Sequence, residues 1–384
     1  MSSGDNTNTD TNTSTKTNVE QGIGNIQIQQ LFKVMVDNNA SDLHLTVGSA
    51  PGMRISGDIV RVKVGSLTPD DTKRLIYQIL TEKQKADLEK NLDLDFSFGI
   101  KGLARFRANV FYSKGAVAAV FRQIPSLIPD FDALGLPPVL LEMVNVSSGL
   151  FLVTGPTGSG KSTTLASIID KLNSSSPSHI ITLEDPIEFV HQHKLSIVNQ
   201  REVGADTISF AKGIKSLLRQ DPDIVLVGEL RDPETIEAAL TIAETGHVVF
   251  GTLHTNSTVQ TINRIINVFS HDQQEQIRTL LSFVLQGVIA QQLLPRVPKG
   301  RALVQEILRI TPAIRNLIRE DKVHQIYSQM QIGQEETGMN TMNQHIKKHL
   351  DSGIITTETA MTYSNNPEEL TRMLGLSNMK GRMK

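Results

Sequence analysis

Eight consecutive residues carry the first chemistry legible in this chain. Gly155, Pro156, Thr157, Gly158, Ser159, Gly160, Lys161 and Ser162 match the pattern G-x-x-x-x-G-K-S/T at every fixed position. Such a loop is suited to a triphosphate. Its glycines let successive backbone N–H groups turn toward the β-phosphate, Lys161 reaches the β- and γ-oxygens, and the Ser162 hydroxyl meets Mg²⁺ at the positive end of a helix. Thr163 is the next residue of that helix and a further candidate contact. The bland alternative is a chance glycine-rich turn. Against it stand the apolar run 150–153 before the loop and the helix-like stretch 162–169 after it, the strand–loop–helix context the pattern requires. ATP and Mg²⁺ are therefore the expected ligands.

Two carboxylates are placed to act on the same phosphates. Glu184, with Asp185 after it, follows the apolar run 180–183, and Glu229 follows the run 224–227 with Gly228 between. Acidic groups at the ends of buried strands beside a phosphate loop hold Mg²⁺ and orient the attacking water. Ser162, Glu184 and Glu229 are thus the candidate metal set, and Glu184 and Glu229 the candidate catalytic acids. Gly228 and Glu229 stand where the terminal Asp of a Walker B strand is usual, which leaves open how the two glutamates divide the work. Solvated loop carboxylates are the competing reading.

His247 and His254 bracket the apolar run 248–252. An imidazole where such a strand emerges near the γ-phosphate senses that phosphate, which makes His254 a catalytic candidate and His247 a nucleotide-binding one; a structural histidine is the alternative for each. Farther upstream, residues 104–110 alternate, so Phe106, Ala108 and Val110 share one strand face while Arg105 and Arg107 share the other. Arg122 ends the next strand in the same sense. These arginines are either a solvated strand face or fingers that reach across a subunit boundary to a neighbour's phosphates.

The elements that must position these groups follow from composition and periodicity. Residues 1–22 are almost wholly polar and predict a disordered tail. Ile28, Leu31, Phe32, Met35 and Val36 are spaced as one face of a helix, and short strands with a helix opened by Thr68 and Pro69 follow. Residues 23–123 thus predict a small α+β domain. Pro125, Pro129, Gly135, Pro137 and Pro138 make 124–138 a linker. Short, wholly apolar runs then alternate with helices over 139–310, as in an α/β domain whose sheet is covered on both faces, and 311–384 reads as a helical subdomain.

At 384 residues the chain is long enough for two cores. Its formal charge of −2 supplies no global field for nucleic acid or anionic lipid. With no Cys, disulfides, cysteine zinc sites and thiol nucleophiles are excluded together. Neither a membrane-span length of apolar residues nor a signal-peptide pattern is present, so membrane contact is expected only through partners.

Taken together, Ser41-Asp42-Leu43-His44-Leu45, the 155–162 loop, Thr182-Leu183-Glu184-Asp185-Pro186-Ile187-Glu188-Phe189, Gly228-Glu229-Leu230-Arg231-Asp232, Gly246-His247 with His254-Thr255, and Ala313-Ile314-Arg315-Asn316-Leu317-Ile318-Arg319-Glu320 resemble the PilT family of type IV pilus retraction ATPases. The similarity runs through nearly everything after residue 25. It implies a PAS-like N-terminal domain, a RecA-like ATPase domain and a homohexameric ring in which each nucleotide lies beside the next subunit, which supports the finger reading of Arg105, Arg107 and Arg122. It also implies a cytoplasmic ring docked on the inner-membrane platform protein of the pilus machine, at the inner face of that membrane. Residues 313–320 correspond to a signature needed for retraction rather than for hydrolysis. Pilus-assembly and type II secretion ATPases are similar in the motor domain but usually carry a four-cysteine zinc module, absent here. The accessory retraction ATPase PilU shares most of these motifs and stays as the alternative, and a related retraction ATPase is a candidate partner. A nucleic-acid translocase is the reading from another class. Near-neutral charge, four Tyr and no Trp count against it, and no direct nucleic-acid partner is expected.

Overall fold

The structure, a computed structural model, describes residues 26–125 and 127–376. The polar tail expected at 1–22 lies outside the described residues. Contacts divide the chain into two compact units, Met1–Ile124 and Pro125–Lys384.

In the first unit a six-stranded antiparallel sheet runs in the order β3-β2-β1-β6-β5-β4. Its strands are β1 (Asp42–Leu45), β2 (Gly52–Ile55), β3 (Asp58–Arg61), β4 (Asp93–Ile100), β5 (Ala104–Ser113) and β6 (Ala116–Ile124). The alternation of β5 buries Phe106, Ala108 and Val110 completely. Phe32, from the amphipathic helix Ile28–Asp37, stacks on Phe106 at 4.5 Å and meets Phe121 edge-on at 5.0 Å. Burying each ring contributes about 1.5–3 kcal/mol, and the rings pack within a core completed by aliphatic side chains such as Ile28, Leu31, Leu43, Leu75 and Ile76.

The second unit holds a seven-stranded sheet in the order β13-β12-β7-β11-β10-β8-β9. These strands are β7 (Gly149–Thr154), β8 (His179–Glu184), β9 (Ile197–Glu202), β10 (Ile224–Val227), β11 (Val248–Leu253), β12 (Leu285–Pro295) and β13 (Arg301–Arg309). All neighbours are parallel except the β12–β13 hairpin at one edge. The apolar runs are uninterrupted because each face of the sheet meets its own core. Leu150 and Leu152 of β7 pack with Ile236 and Leu240 of the helix Pro233–Glu244. Phe151 and Val153 pack with Leu165, Ile168 and Ile169 of the helix Lys161–Ser175. In such parallel sheets ligands bind in the crevice at the carboxyl ends of the strands.

Two segments differ from the sequence expectation. Within 124–138, Ile124 ends β6, while Phe131 and Leu136 are buried in the second unit's core, because apolar side chains between the prolines find a hydrophobic surface there. After residue 311 the chain does not make one separate bundle. Ile314, Ile318, Val323, Ile326 and Met330 join the main core, whereas Met342, Ile346, Ile355, Ala360 and Leu370 form a smaller one on Leu294, Ala302 and Val304 of the β12–β13 hairpin.

Candidate active site

The glycine-rich loop leaves β7 and turns at once into the helix Lys161–Ser175, so its shape is set by close approach rather than by side chains. Gly155 has φ +144°, and a Cβ on it would stand 2.2 Å from the Gln291 carbonyl oxygen and 2.7 Å from Ser159 Oγ. Only glycine fits there. Gln291 of β12 supports the loop from the other side, its Nε2 donating to the Ser159 carbonyl at 2.9 Å. Gly160, the residue at the helix N-cap, supplies no side chain to cap it, so the first-turn N–H groups are left to an external acceptor. Ser159 Oγ is buried and has no hydrogen-bond partner within the chain. This is an anion cradle built from backbone.

Lys161 Nζ donates to the carbonyls of Gly155 at 2.8 Å and Pro156 at 3.2 Å. Burial pushes its ammonium below the ordinary lysine value, against the pull of Glu229 and Glu188. A partly desolvated cation with only carbonyls for partners exchanges them readily for phosphate oxygens.

Glu184 ends β8 and is partly buried in the cavity wall. Its Oε1 accepts from Thr182 Oγ1 at 2.6 Å and from Gln200 Nε2 at 3.2 Å. Burial pushes its carboxyl up from the usual range, with those donors opposing. Glu229 is held the other way. Partial burial works to raise its carboxyl, but Arg231 at 2.6 Å and His254 Nε2 at 3.2 Å outweigh it and hold the group below its ordinary value. The glycine in place of the usual strand-end Asp has a steric cause: a Cβ on Gly228 would lie 3.1 Å from the Leu183 carbonyl oxygen and 3.3 Å from Glu184 Cα. The ends of β8 and β10 are so close that the acid is supplied by Glu184 on one strand and by Glu229 one residue farther along the other.

These groups meet in one cavity of about 420 Å³, walled by Lys161, Ser162, Thr163, Glu184, Glu229 and His254, with Thr157, Gly158 and Gly160 from the loop. Gly155 and Ser159 are buried at the loop's base. The donor set suits Mg²⁺. The Ser162 hydroxyl and one or two carboxylates are what this ion takes from protein when phosphates and water fill its other positions, and no group of three His, Asp or Glu side chains among the described residues forms a cage of its own.

His247 stands apart from this cavity. It precedes β11, whose far end leads to His254, and six residues of strand at about 3.3 Å each put roughly 20 Å between them. Its Nδ1 lies 3.0 Å from the Ile242 carbonyl and 3.2 Å from Thr245 Oγ1, local bonds that hold the turn after the helix Pro233–Glu244. Spacing brackets a strand, but the two ends of a parallel strand serve opposite edges of the sheet. Arg105, Arg107 and Arg122 belong to the first unit and are bonded inside it: Arg105 Nη2 to Ser97 Oγ at 2.6 Å, Arg107 Nη2 to Asp95 at 2.6 Å and Arg122 Nε to the buried Asp42 at 2.9 Å.

Other cavity residues were not among the sequence candidates. Arg231 was within reach of a local rule, standing two residues after the acid it pairs. Thr252 and Arg301 reach the cavity through strand pairing, and Gln200, outside the cavity wall, reaches Glu184 by the β8–β9 register; one sequence does not display such pairing.

The model of the type II/IV secretion system protein family matches residues 18–299. The chain is 48% identical over 343 residues to the type IV pilus retractation ATPase PilT of Pseudomonas aeruginosa, covering 89% of this chain and 99% of that one. It is 38% identical over 352 residues to the type IV pilus ATPase PilU of the same organism, covering 91% and 92%. A crystal structure of the pilus retraction motor PilT with bound ADP superposes with a TM-score of 0.86 at 54% identity, over 91% of this chain and 100% of that one.

Proposed function

The chain belongs to the type II/IV secretion system protein family and within it to the PilT retraction ATPases, and from that premise we propose that it is the ATP-driven motor that retracts type IV pili. The observation that carries this reading is the single cavity in which Lys161, Ser162, Glu184, Glu229 and His254 converge at the carboxyl ends of parallel strands.

The two glutamates divide the work by environment. Glu184, raised by burial, is the general base that takes a proton from the attacking water, since a base works best when its value approaches the operating pH. Glu229, kept ionised by Arg231, holds the water shell of Mg²⁺ with the Ser162 hydroxyl. The ion, when bound, supplies charge neutralisation on the β- and γ-oxygens. Lys161 and the loop N–H groups bind and orient the phosphates, and His254, bonded to Glu229, registers whether the γ-phosphate is present.

The motor works as a homohexamer. Arg105, Arg107 and Arg122 are presented to the nucleotide of a neighbouring subunit, where the bonds of Arg105 to the Ser97 hydroxyl and of Arg107 and Arg122 to carboxylates are exchanged for phosphate ones. Loss of the γ-phosphate releases contacts that hold domains closed, and successive closure and opening pass round the ring. The ring sits in the cytoplasm against the inner-membrane platform protein of the pilus machine; no helix among the described residues is long and apolar enough to cross a membrane itself. The higher identity to PilT than to PilU favours the principal retraction motor over the accessory one.

The test pairs ATP turnover of the purified protein, with and without single-stranded and duplex DNA, with its mass in solution on adding nucleotide. Hydrolysis by a hexamer indifferent to DNA is expected. Strong stimulation by DNA would move the assignment to a nucleic-acid translocase.

A further inference from the structure

A small chamber of about 40 Å³ adjoins the active-site cavity and shares Ser162, Glu184, Gly228 and Thr252 with it. His191 and Phe189 close the other side. His191 is 8% exposed. Its Nδ1 is sealed from solvent and has no hydrogen-bond partner within the chain, a deficit that destabilises a neutral buried group unless something fills it. Burial pushes the imidazole down to about 4, with Asp170 opposing and Lys194 adding to the effect, so the ring is neutral at physiological pH.

One side chain ties this histidine to the catalytic carboxylate. The His191 backbone N–H donates to Gln200 Oε1 at 2.8 Å, and Gln200 Nε2 donates to Glu184 Oε1 at 3.2 Å. The chamber exceeds the roughly 10–15 Å³ that one water molecule needs. It also offers the polar partners that a buried water requires: the Glu184 carboxylate, His191, and the hydroxyls of Ser162 and Thr252.

We propose that this chamber binds one water molecule between His191 Nδ1 and the Glu184 carboxylate, and that His191 is a positioning residue for Glu184. The inference rests on the reading of Glu184 as the base. Held by Thr182, Gln200 and this water, the carboxylate keeps one aim toward the nucleophile. Without the water it loses a partner in a site where few others reach it.

A crystal structure of the protein at a resolution that shows ordered water, together with kcat and the affinity for a non-hydrolysable ATP analogue in His191→Phe and His191→Asn, tests this. Density for a water in the chamber is expected. His191→Phe fills the space and lowers kcat by about tenfold or more with unchanged analogue affinity, as loss of a supporting partner does. His191→Asn, whose amide reaches the Nδ1 position, recovers most of that loss. A dry chamber, full activity in His191→Phe, or equal losses in both variants overturns the proposal. An unmodified protein with no ATPase activity would overturn the catalytic reading instead, and the density alone would then judge the water site.

Discussion

Opposite environments for two like side chains are the central fact at the residue scale. Glu184 is partly buried and raised by desolvation; Glu229 faces Arg231 and His254 and is lowered. Replacing Glu184 by Gln is expected to cut turnover by about 10²–10⁴-fold while nucleotide still binds, because only the proton acceptor is lost. Near-normal ATPase in that variant would reassign the base to Glu229. The same substitution has a pH signature in stability. A carboxyl raised by burial contributes stability below its ordinary value of 4.5, and that contribution is lost as pH rises through the higher folded value. Glu184→Gln, which cannot ionise, should therefore melt above the unmodified protein at pH 8, with the gap closing toward pH 4. Equal melting points throughout would mean that the carboxylate is not desolvated. For Gly155→Ala, the clash with the Gln291 carbonyl at 2.2 Å predicts loss of nucleotide binding together with a lowered melting temperature, measured by titration and thermal unfolding.

Among the elements, the helix Pro312–Arg319 shows how a sequence signature and its structural use diverge. Ile314 and Ile318 are fully buried, and Arg315 turns inward. Its Nη1 donates to the carbonyls of Ser282 at 2.9 Å and Phe283 at 2.6 Å, and its Nη2 to Gln286 Oε1 at 3.1 Å. The guanidinium thus caps the C-terminus of the helix Gln274–Val284 and pins it to β12. Charge-assisted bonds of this kind contribute about 2 kcal/mol, so Arg315→Ala should lower the melting temperature by several degrees. The phosphate cavity does not include it, and ATPase at 25 °C should persist while pilus retraction fails. Loss of hydrolysis at that temperature would show that the cap is transmitted to the loop.

For the whole molecule, the proposed work is done on partners rather than on the nucleotide alone. Arg319 lies on the exposed side of the same helix, its Nη2 donating only to Asn316 at 2.7 Å. Arg319→Glu should leave stability within about 0.5 kcal/mol and hydrolysis intact, as exposed substitutions do, while twitching motility is lost if this face meets the pilus machine. Unchanged motility would locate docking elsewhere. How far the sequence alone reached follows from the range of each interaction. The glycine-rich loop, the two acids after apolar runs, the Ile28–Asp37 helix and the alternation of β5 were legible because each depends on neighbours a few residues away, where strand and helix periods are visible. The burial of Phe131 and Leu136, the split of the C-terminal helices between two cores, and the sites of Gln200, Thr252 and His191 were not. Strand order and register decide these, and they bring residues far apart in the chain to the end of one parallel sheet. His247 and Glu229 mark the boundary. Residue type and spacing nominated both, but only the direction of β11 separated the first from the cavity, and only Arg231 and His254 packed against the second set its charge.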